Sequence, residues 1–231
     1  MFYLNKFRVN NFKISHTFNL IMKLAIIGGS SLKHYNNKEV IFIQRHEGNK
    51  LPHMINYEQL FRQLKKQGVT HIIGISSTGS LKKELKPGEI IIPDDYINFS
   101  TITIFKKKLV HIIPGLDEEL RLLIIRTAES LNLKIKKKGI YFQTKGPRFE
   151  TKAEISMIKN YADIVGMTMA NEATIAKELG LKYASICTID NYANGLLKDF
   201  LNHDEIIQNQ HKNQEKIIAL LDKIFLLQID F

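Results

Sequence analysis

Cysteine is almost missing. Cys187 is the single one in 231 residues, so no internal disulfide can form, which suits a reducing cytoplasm. A zinc-ribbon design needs several thiolates and is excluded. Long apolar runs are missing too: none approaches the roughly 18 uncharged residues of a membrane-spanning helix. Residues 23–231 hold no internal repeat or low-complexity linker, and no acidic cluster suited to magnesium accompanies the polar motifs described below. What remains is 44% hydrophobic and 24% charged, the make-up of an ordinary globular chain. At roughly 150 residues per domain, the length predicts one large domain or two small ones. A chain this long buries enough surface to fold without disulfides or a structural metal.

Acid is scarcer than base: 33 Lys and Arg face 23 Asp and Glu, a formal net charge of +10. Part of the excess sits in residues 1–22, which carry Lys6, Arg8 and Lys13 and no acid. Later groups are Lys106–Lys108 and Lys134 with Lys136–Lys138. Leu133-Lys134-Ile135-Lys136 alternates like a strand with one wet face. These charges read chiefly as solvated surface, with polyanion contact as the other reading; neither nucleic acid nor a membrane is the expected partner. Residues 1–22 lack the apolar core and small-residue cleavage site of a secretory signal. Met22 directly precedes the strand-like Lys23-Leu24-Ala25-Ile26-Ile27-Gly28-Gly29. Residues 1–22 therefore read as an N-terminal extension, either dispensable or upstream of a true start at Met22, and 23–231 as the folded domain. A chain truncated to Met22 is expected to fold and to keep its activity.

Strand-like and helix-like segments alternate, which predicts an α/β domain. Strands are expected at Leu24–Ile27, Ile41–Gln44, Thr70–Ile75 and Ile90–Ile92, and at Thr103–Ile113 with a Lys-rich hairpin in the middle. Further strands are expected at Ile135–Phe142, Ile164–Val165 and Tyr183–Ile189. Asn56 is a plausible N-cap for a helix carrying Tyr57, Leu60, Phe61 and Leu64 and stopping at Gly68. Asp117, Glu118 and Glu119 mark another helix start. Helices are also expected up to Ile158, over Glu172–Leu179 and, long and amphipathic, over Asp204–Leu227. Most polar clusters follow apolar strands, where open α/β sheets bind ligands.

Each cluster has two readings. Gly28-Gly29-Ser30-Ser31 after the first strand is a bare turn or an anion site with a serine donor; it lacks the glycine pattern of dinucleotide or triphosphate loops. Arg45-His46 is a surface pair or a phosphate fork. With Ser30, Ser76, Ser77 and Thr168, all at element ends, it can complete a small oxyanion pocket. In Gly146-Pro147-Arg148-Phe149-Glu150, Phe149 either joins the core or covers a heterocycle, while Glu150 faces a helix dipole or accepts a ring N–H. Asn191 is a turn former or, with a donor and an acceptor on one amide, a reader of a purine edge.

In order along the chain, Gly28-Gly29-Ser30, Arg45-His46, Pro52-His53-Met54-Ile55-Asn56-Tyr57, Ser77-Thr78-Gly79-Ser80-Leu81, Pro87-Gly88-Glu89, Gly146-Pro147-Arg148-Phe149-Glu150-Thr151 with Ala153-Glu154, Gly166-Met167-Thr168 and Asn191 closely resemble the purine nucleoside phosphorylases and 5′-methylthioadenosine phosphorylases. The likeness spans about residues 24–200. It implies a single α/β domain with a central mixed sheet flanked by helices, assembled as a homotrimer or dimer of trimers. It also implies reversible phosphorolysis of a nucleoside's N-glycosidic bond, with inorganic phosphate as co-substrate and no metal or other cofactor. By position, the resemblance makes Ser30, Arg45, His46 and Thr168 phosphate ligands, and Ser76 and Ser77 the loop supporting phosphate and ribose. It sets Met167 against the sugar and Phe149, Glu150 and Asn191 around the base, with Ala193 also at the substrate and Glu150 and Asn191 the catalytic pair.

Within that resemblance, Glu150 with Asn191 is the combination of 6-oxopurine members, and the chemistry agrees. Hypoxanthine and guanine carry a proton on N1 that a glutamate accepts, whereas adenine N1 offers a lone pair. Inosine and guanosine, or a thio-analogue of inosine, are thus expected over adenosine. Asn202-His203-Asp204-Glu205 resembles the helix start where hydroxyl-reading members place a histidine, which would put His203 at the ribose 5′-OH; a surface histidine is the other reading. The chain departs from the pattern in a short loop after His46, and at Ser31, Asn171 and Asp190. The rival readings are a methylthioadenosine phosphorylase, a nucleosidase using water, and a basic nucleic-acid-binding protein.

Overall fold

A computed structural model describes residues 22–100, 102–197 and 203–229; apart from Met22, the N-terminal extension lies outside them. Branched aliphatic runs form the strands. β1 (Leu24–Gly28), buried throughout, pairs in parallel with β2 (Ile41–Gln44) and with β3 (His71–Ser80). β3 pairs in parallel along its length with β9 (Lys182–Tyr192). β4 (Ile90–Ile91) runs antiparallel to β9 and carries β6 (Ile135–Lys136) in parallel. Beyond β3 lie β8 (Ile164–Gly166), antiparallel to it, then β7 (Ile140–Gln143) and β5 (Asp95–Ile97). The nine strands form one mixed sheet, ordered β5-β7-β8-β3-β9-β4-β6, with β1 and β2 branching from β3.

Helices cover both faces. Neighbouring strand residues point to opposite sides, so Ile72 packs with Phe61, Leu64, Ala173 and Ala176 beneath α1 (Tyr57–Lys66) and α4 (Met169–Glu178). Ile73 packs with Ile124, Leu220 and Leu221 beneath α2 (Glu118–Ser130) and α5 (His203–Ile229). Local chemistry sets the helix ends: Asn56 and Asp117 side chains accept from the backbone N–H of Gln59 and Leu120, and Gly68 takes φ +80° just past α1. Thr151 and Glu154 form a reciprocal capping box at the start of α3 (Lys152–Ile158). Among the described residues, no helix is long and apolar enough to cross a membrane.

Three expectations are corrected. The strand expected over Thr70–Ile75 continues through the polar run to Ser80, because β9 offers it a partner that the local sequence does not reveal. Ile135–Phe142 is two strands: Lys137 gives its carbonyl to Arg121 Nη2, and Gly139 gives its N–H to Asp94 Oδ1. The strand and hairpin expected at Thr103–Ile113 do not form; the segment has no strand partner, and Glu178 binds the Thr103 hydroxyl and the Ile104 N–H instead.

Candidate active site

The polar strand ends converge on a cavity of about 550 Å³, within the usual range for small-molecule sites. Ser30 enters from the turn after β1, Arg45 and His46 from the end of β2, and Ser77 from β3. Phe149 and Glu150 follow β7, Met167 and Thr168 follow β8, and Asn191 and Ala193 close β9.

One end holds a buried ion pair. Arg45 is buried, yet its charge is doubly held: Nε lies 2.5 Å from Glu172 Oε1 and Nη2 lies 2.9 Å from Oε2. Nη1 donates to the Ile75 carbonyl at 2.7 Å, which leaves one N–H on each terminal nitrogen uncommitted. Burial opposes the guanidinium's charge, but the Glu172 carboxylate outweighs it and holds Arg45 above its ordinary range. Tyr183 completes the arrangement by donating to Glu172 Oε2 at 2.7 Å. A Cβ on Gly29 would lie 2.5 Å from Arg45 Nη1 and 2.6 Å from the Ile75 carbonyl, so the turn needs glycine to let the guanidinium pass. His46 is shifted below its ordinary value, first by burial and also by Arg45, against a bond from its Nδ1 to the Lys50 carbonyl. It is therefore a neutral hydrogen-bonding group at pH 7.

Thr168 is the N-cap of α4, but its hydroxyl caps nothing and so stays available to the cavity. The helix amides behind it are already used. Tyr141 Oη accepts from Thr168 and Met169 N–H, and Gln143 Oε1 from Ala170 and Asn171 N–H. The start of α4 therefore turns these amides inward, to Tyr141 and Gln143, rather than to the cavity.

The other end is aromatic and acidic. Phe149 is 51% exposed, outside the core and free to cover a flat ring. Glu150 is buried; Thr144 Oγ1 donates to its Oε1 at 2.6 Å, and Asn194 Nδ2 holds its carbonyl. Asn191 spends one amide N–H on the Tyr192 carbonyl, keeping the other and its oxygen. Among the described residues no group of three or more His, Cys, Asp or Glu is placed to hold a metal ion.

Of the residues singled out in the sequence, Ser30, Arg45, His46, Ser77 and Thr168 line the cavity, as do Phe149, Glu150, Met167, Asn191 and Ala193. Ser76 does not. Its neighbour Ser77 faces the cavity, so strand alternation sends Ser76 to the other side, where its buried Oγ has no hydrogen-bond partner. His203 opens α5, and its side chain lies outside the described residues. Sequence reasoning missed Glu172, and also Gln210 and Ile206, which α5 brings into the wall. The amphipathic pattern of α5 signals a buried face but not what that face meets.

Residues 23–226 match the phosphorylase superfamily, and the chain belongs to it. A protein of Archaeoglobus fulgidus named as a probable 6-oxopurine nucleoside phosphorylase is 46% identical over 189 residues, 80% of this chain and 78% of its own length. A probable S-methyl-5′-thioinosine phosphorylase of Methanocaldococcus jannaschii is 40% identical over 192 residues, covering 80% and 76%. An S-methyl-5′-thioadenosine phosphorylase of Pyrococcus abyssi is 38% identical over 193 residues, covering 80% and 75%. Among solved structures, the methylthioadenosine phosphorylase of Schistosoma mansoni with adenine superposes with a TM-score of 0.77 at 21% identity, covering 89% of this chain and 91% of that one. That likeness supports the mixed α/β fold.

Proposed function

We propose that this chain is a purine nucleoside phosphorylase that cleaves 6-oxopurine nucleosides, inosine and guanosine, to free base and ribose 1-phosphate. The observation that carries the reading is that Arg45 and Glu150 line the same cavity. In this reading Arg45, Ser30, His46 and Thr168 hold inorganic phosphate, Met167 packs against the sugar, Phe149 covers the base, and Ala193 lines the substrate cavity. Glu150 accepts the N1 proton of the 6-oxopurine, and Asn191 donates to the leaving base. A phosphate oxygen bonds to C1′ as the bond from C1′ to the purine nitrogen breaks, and the electron pair leaves with the base. Positive charge grows on the ribose beside bound phosphate, and negative charge grows on the purine beside hydrogen-bond donors. Holding two substrates at attack distance contributes roughly 7–11 kcal/mol to lowering the barrier. Phosphate is the co-substrate, and the chemistry asks for no other cofactor.

The second reading keeps the reaction and changes the 5′ group to methylthio. Apolar Ile206 in the cavity wall and the name of the Methanocaldococcus relative support it. Both readings fit a homotrimer or dimer of trimers. A second cavity of about 620 Å³ shares Pro52 and Met167 with the first, and Phe99, Leu109 and Ile113 are each more than 80% exposed, which supports association. The test is base release from inosine, guanosine, adenosine and their methylthio forms, with and without phosphate, beside light scattering for mass. Inosine or guanosine cleaved fastest, and only with phosphate, is the expected outcome. Adenosine preference, or release without phosphate, counts against it.

A further inference from the structure

The pairing of β3 with β9 slips by one residue: Thr78 faces Ile189, but Gly79 faces Asn191. Asp190 is the extra residue of this bulge, a device that re-aims a side chain. Its carboxyl group is fully buried, behind the cavity wall. Oδ2 accepts hydrogen bonds from Ser77 Oγ and, at 3.1 Å, from Ser31 Oγ. Ser31 Oγ also lies 2.6 Å from Thr188 Oγ1. Gln210 Nε2 of α5 donates to Ser77 Oγ at 3.2 Å, and Asn209 Nδ2 donates to the Asp190 carbonyl at 2.9 Å. Asp190 thus ties three elements together at the cavity: its carboxyl group holds the turn after β1 and the end of β3, and its backbone carbonyl holds helix α5.

The direction of the Ser77 bond decides what Ser77 can bind. A hydroxyl has one hydrogen, and this one goes to Asp190. Gln210 takes one lone pair, so toward the cavity Ser77 can offer only its other lone pair, with the Asp190 carboxyl behind it. A phosphate oxygen, itself an acceptor and negative, is repelled by that arrangement, whereas a substrate hydroxyl is welcomed. Burial raises the Asp190 carboxyl above its ordinary value on balance, and the bonds from Ser77 and Ser31 oppose that shift by favouring its charged form.

We infer that Asp190 is a positioning residue that makes Ser77 the acceptor for a hydroxyl of the bound pentose, leaving phosphate to Arg45 and its neighbours. The identity of the sugar rests on the proposed phosphorolysis; the polarity of Ser77 rests on the geometry alone.

The test compares the wild type with Ser77→Ala, Asp190→Ala and Asp190→Asn on inosine, 2′-deoxyinosine, 3′-deoxyinosine and phosphate. The wild type is expected to prefer inosine over at least one deoxynucleoside by about tenfold or more, the worth of one good hydrogen bond. Ser77→Ala and Asp190→Ala should erase that preference by lowering kcat/KM for inosine alone, with the KM for phosphate within about twofold. Asp190→Asn, which retains an acceptor oxygen, should keep the preference. If Asp190→Ala does not fold, Asp190→Val, better suited to a strand, takes its place. A wild type indifferent to both deoxynucleosides overturns the inference. So does a Ser77→Ala variant that keeps the preference and binds phosphate about tenfold more weakly. If the wild type cleaves no nucleoside, the proposed function fails by itself. Calorimetric titration with inorganic phosphate then decides the inference: unchanged affinity in Ser77→Ala upholds it, and a tenfold loss overturns it.

Discussion

Arg45 and Glu172, which meet through two hydrogen bonds of 2.5 and 2.9 Å, are both shut away from solvent along their side chains. Such a pair adds little net stability over well-packed apolar groups, but losing one partner strands a buried charge. Glu172→Ala is therefore expected to cost about 3–5 kcal/mol in urea unfolding. The surviving fold should bind phosphate weakly, because nothing then aims the guanidinium. A variant with wild-type stability and phosphate KM contradicts this account.

Gly29 serves the same guanidinium. A methyl group there would lie 2.5 Å from Arg45 Nη1 and 2.6 Å from the Ile75 carbonyl, a backbone atom with little room to move. Gly29→Ala should cost about 1–3 kcal/mol, as overpacking does, and raise the KM for phosphate more than that for nucleoside. Steady-state kinetics with each substrate varied in turn measures the split.

At the base end, Phe149 and Glu150 separate binding from selection. Phe149 is 51% exposed, so Phe149→Ala should leave the melting temperature nearly unchanged while raising the KM for nucleoside. Glu150→Ala should lower kcat/KM for inosine by about two orders of magnitude or more, since a site built around a required hydrogen bond discriminates strongly. It should narrow the gap between inosine and adenosine; an unchanged gap removes Glu150 from base selection.

Stability should weaken in mild acid. His46 and His71 are both held below the ordinary histidine value of 6.5, in each case chiefly by burial, with Arg45 acting on the first and Lys182 on the second. Between their folded values and 6.5, the unfolded chain binds more protons, so stability falls as the pH drops through that window and is unaffected above it. Asp190 has the opposite sign. Raised from 3.8, it stabilises below that value and loses the contribution as the pH climbs through its folded value. Urea midpoints at pH 7.5 and 5.5 should differ less in the double variant His46→Gln and His71→Gln than in the wild type. An equal slope in both chains excludes the two histidines as its source.

The sequence by itself determined those features whose causes lie within a few residues. Asn56 and Gly68 bound α1, and Asp117 starts α2, because capping and backbone freedom are local. Strands β1 and β2 emerge from their apolar runs for the same reason. Ordered motifs carried further, bringing Arg45, Glu150 and Asn191 into view as members of one family's pocket. Tertiary structure alone decided what each of them touches. Glu172 reaches Arg45 across 127 positions, and Asp190 reaches Ser77 across 113. The polar end of β3 becomes strand because β9 lies beside it, and Ser76 turns away because the pleat turns it. Strand order, register and one bulge set those meetings, and they arise from long-range pairing and the sharing of a buried interior, which no stretch of chain carries alone.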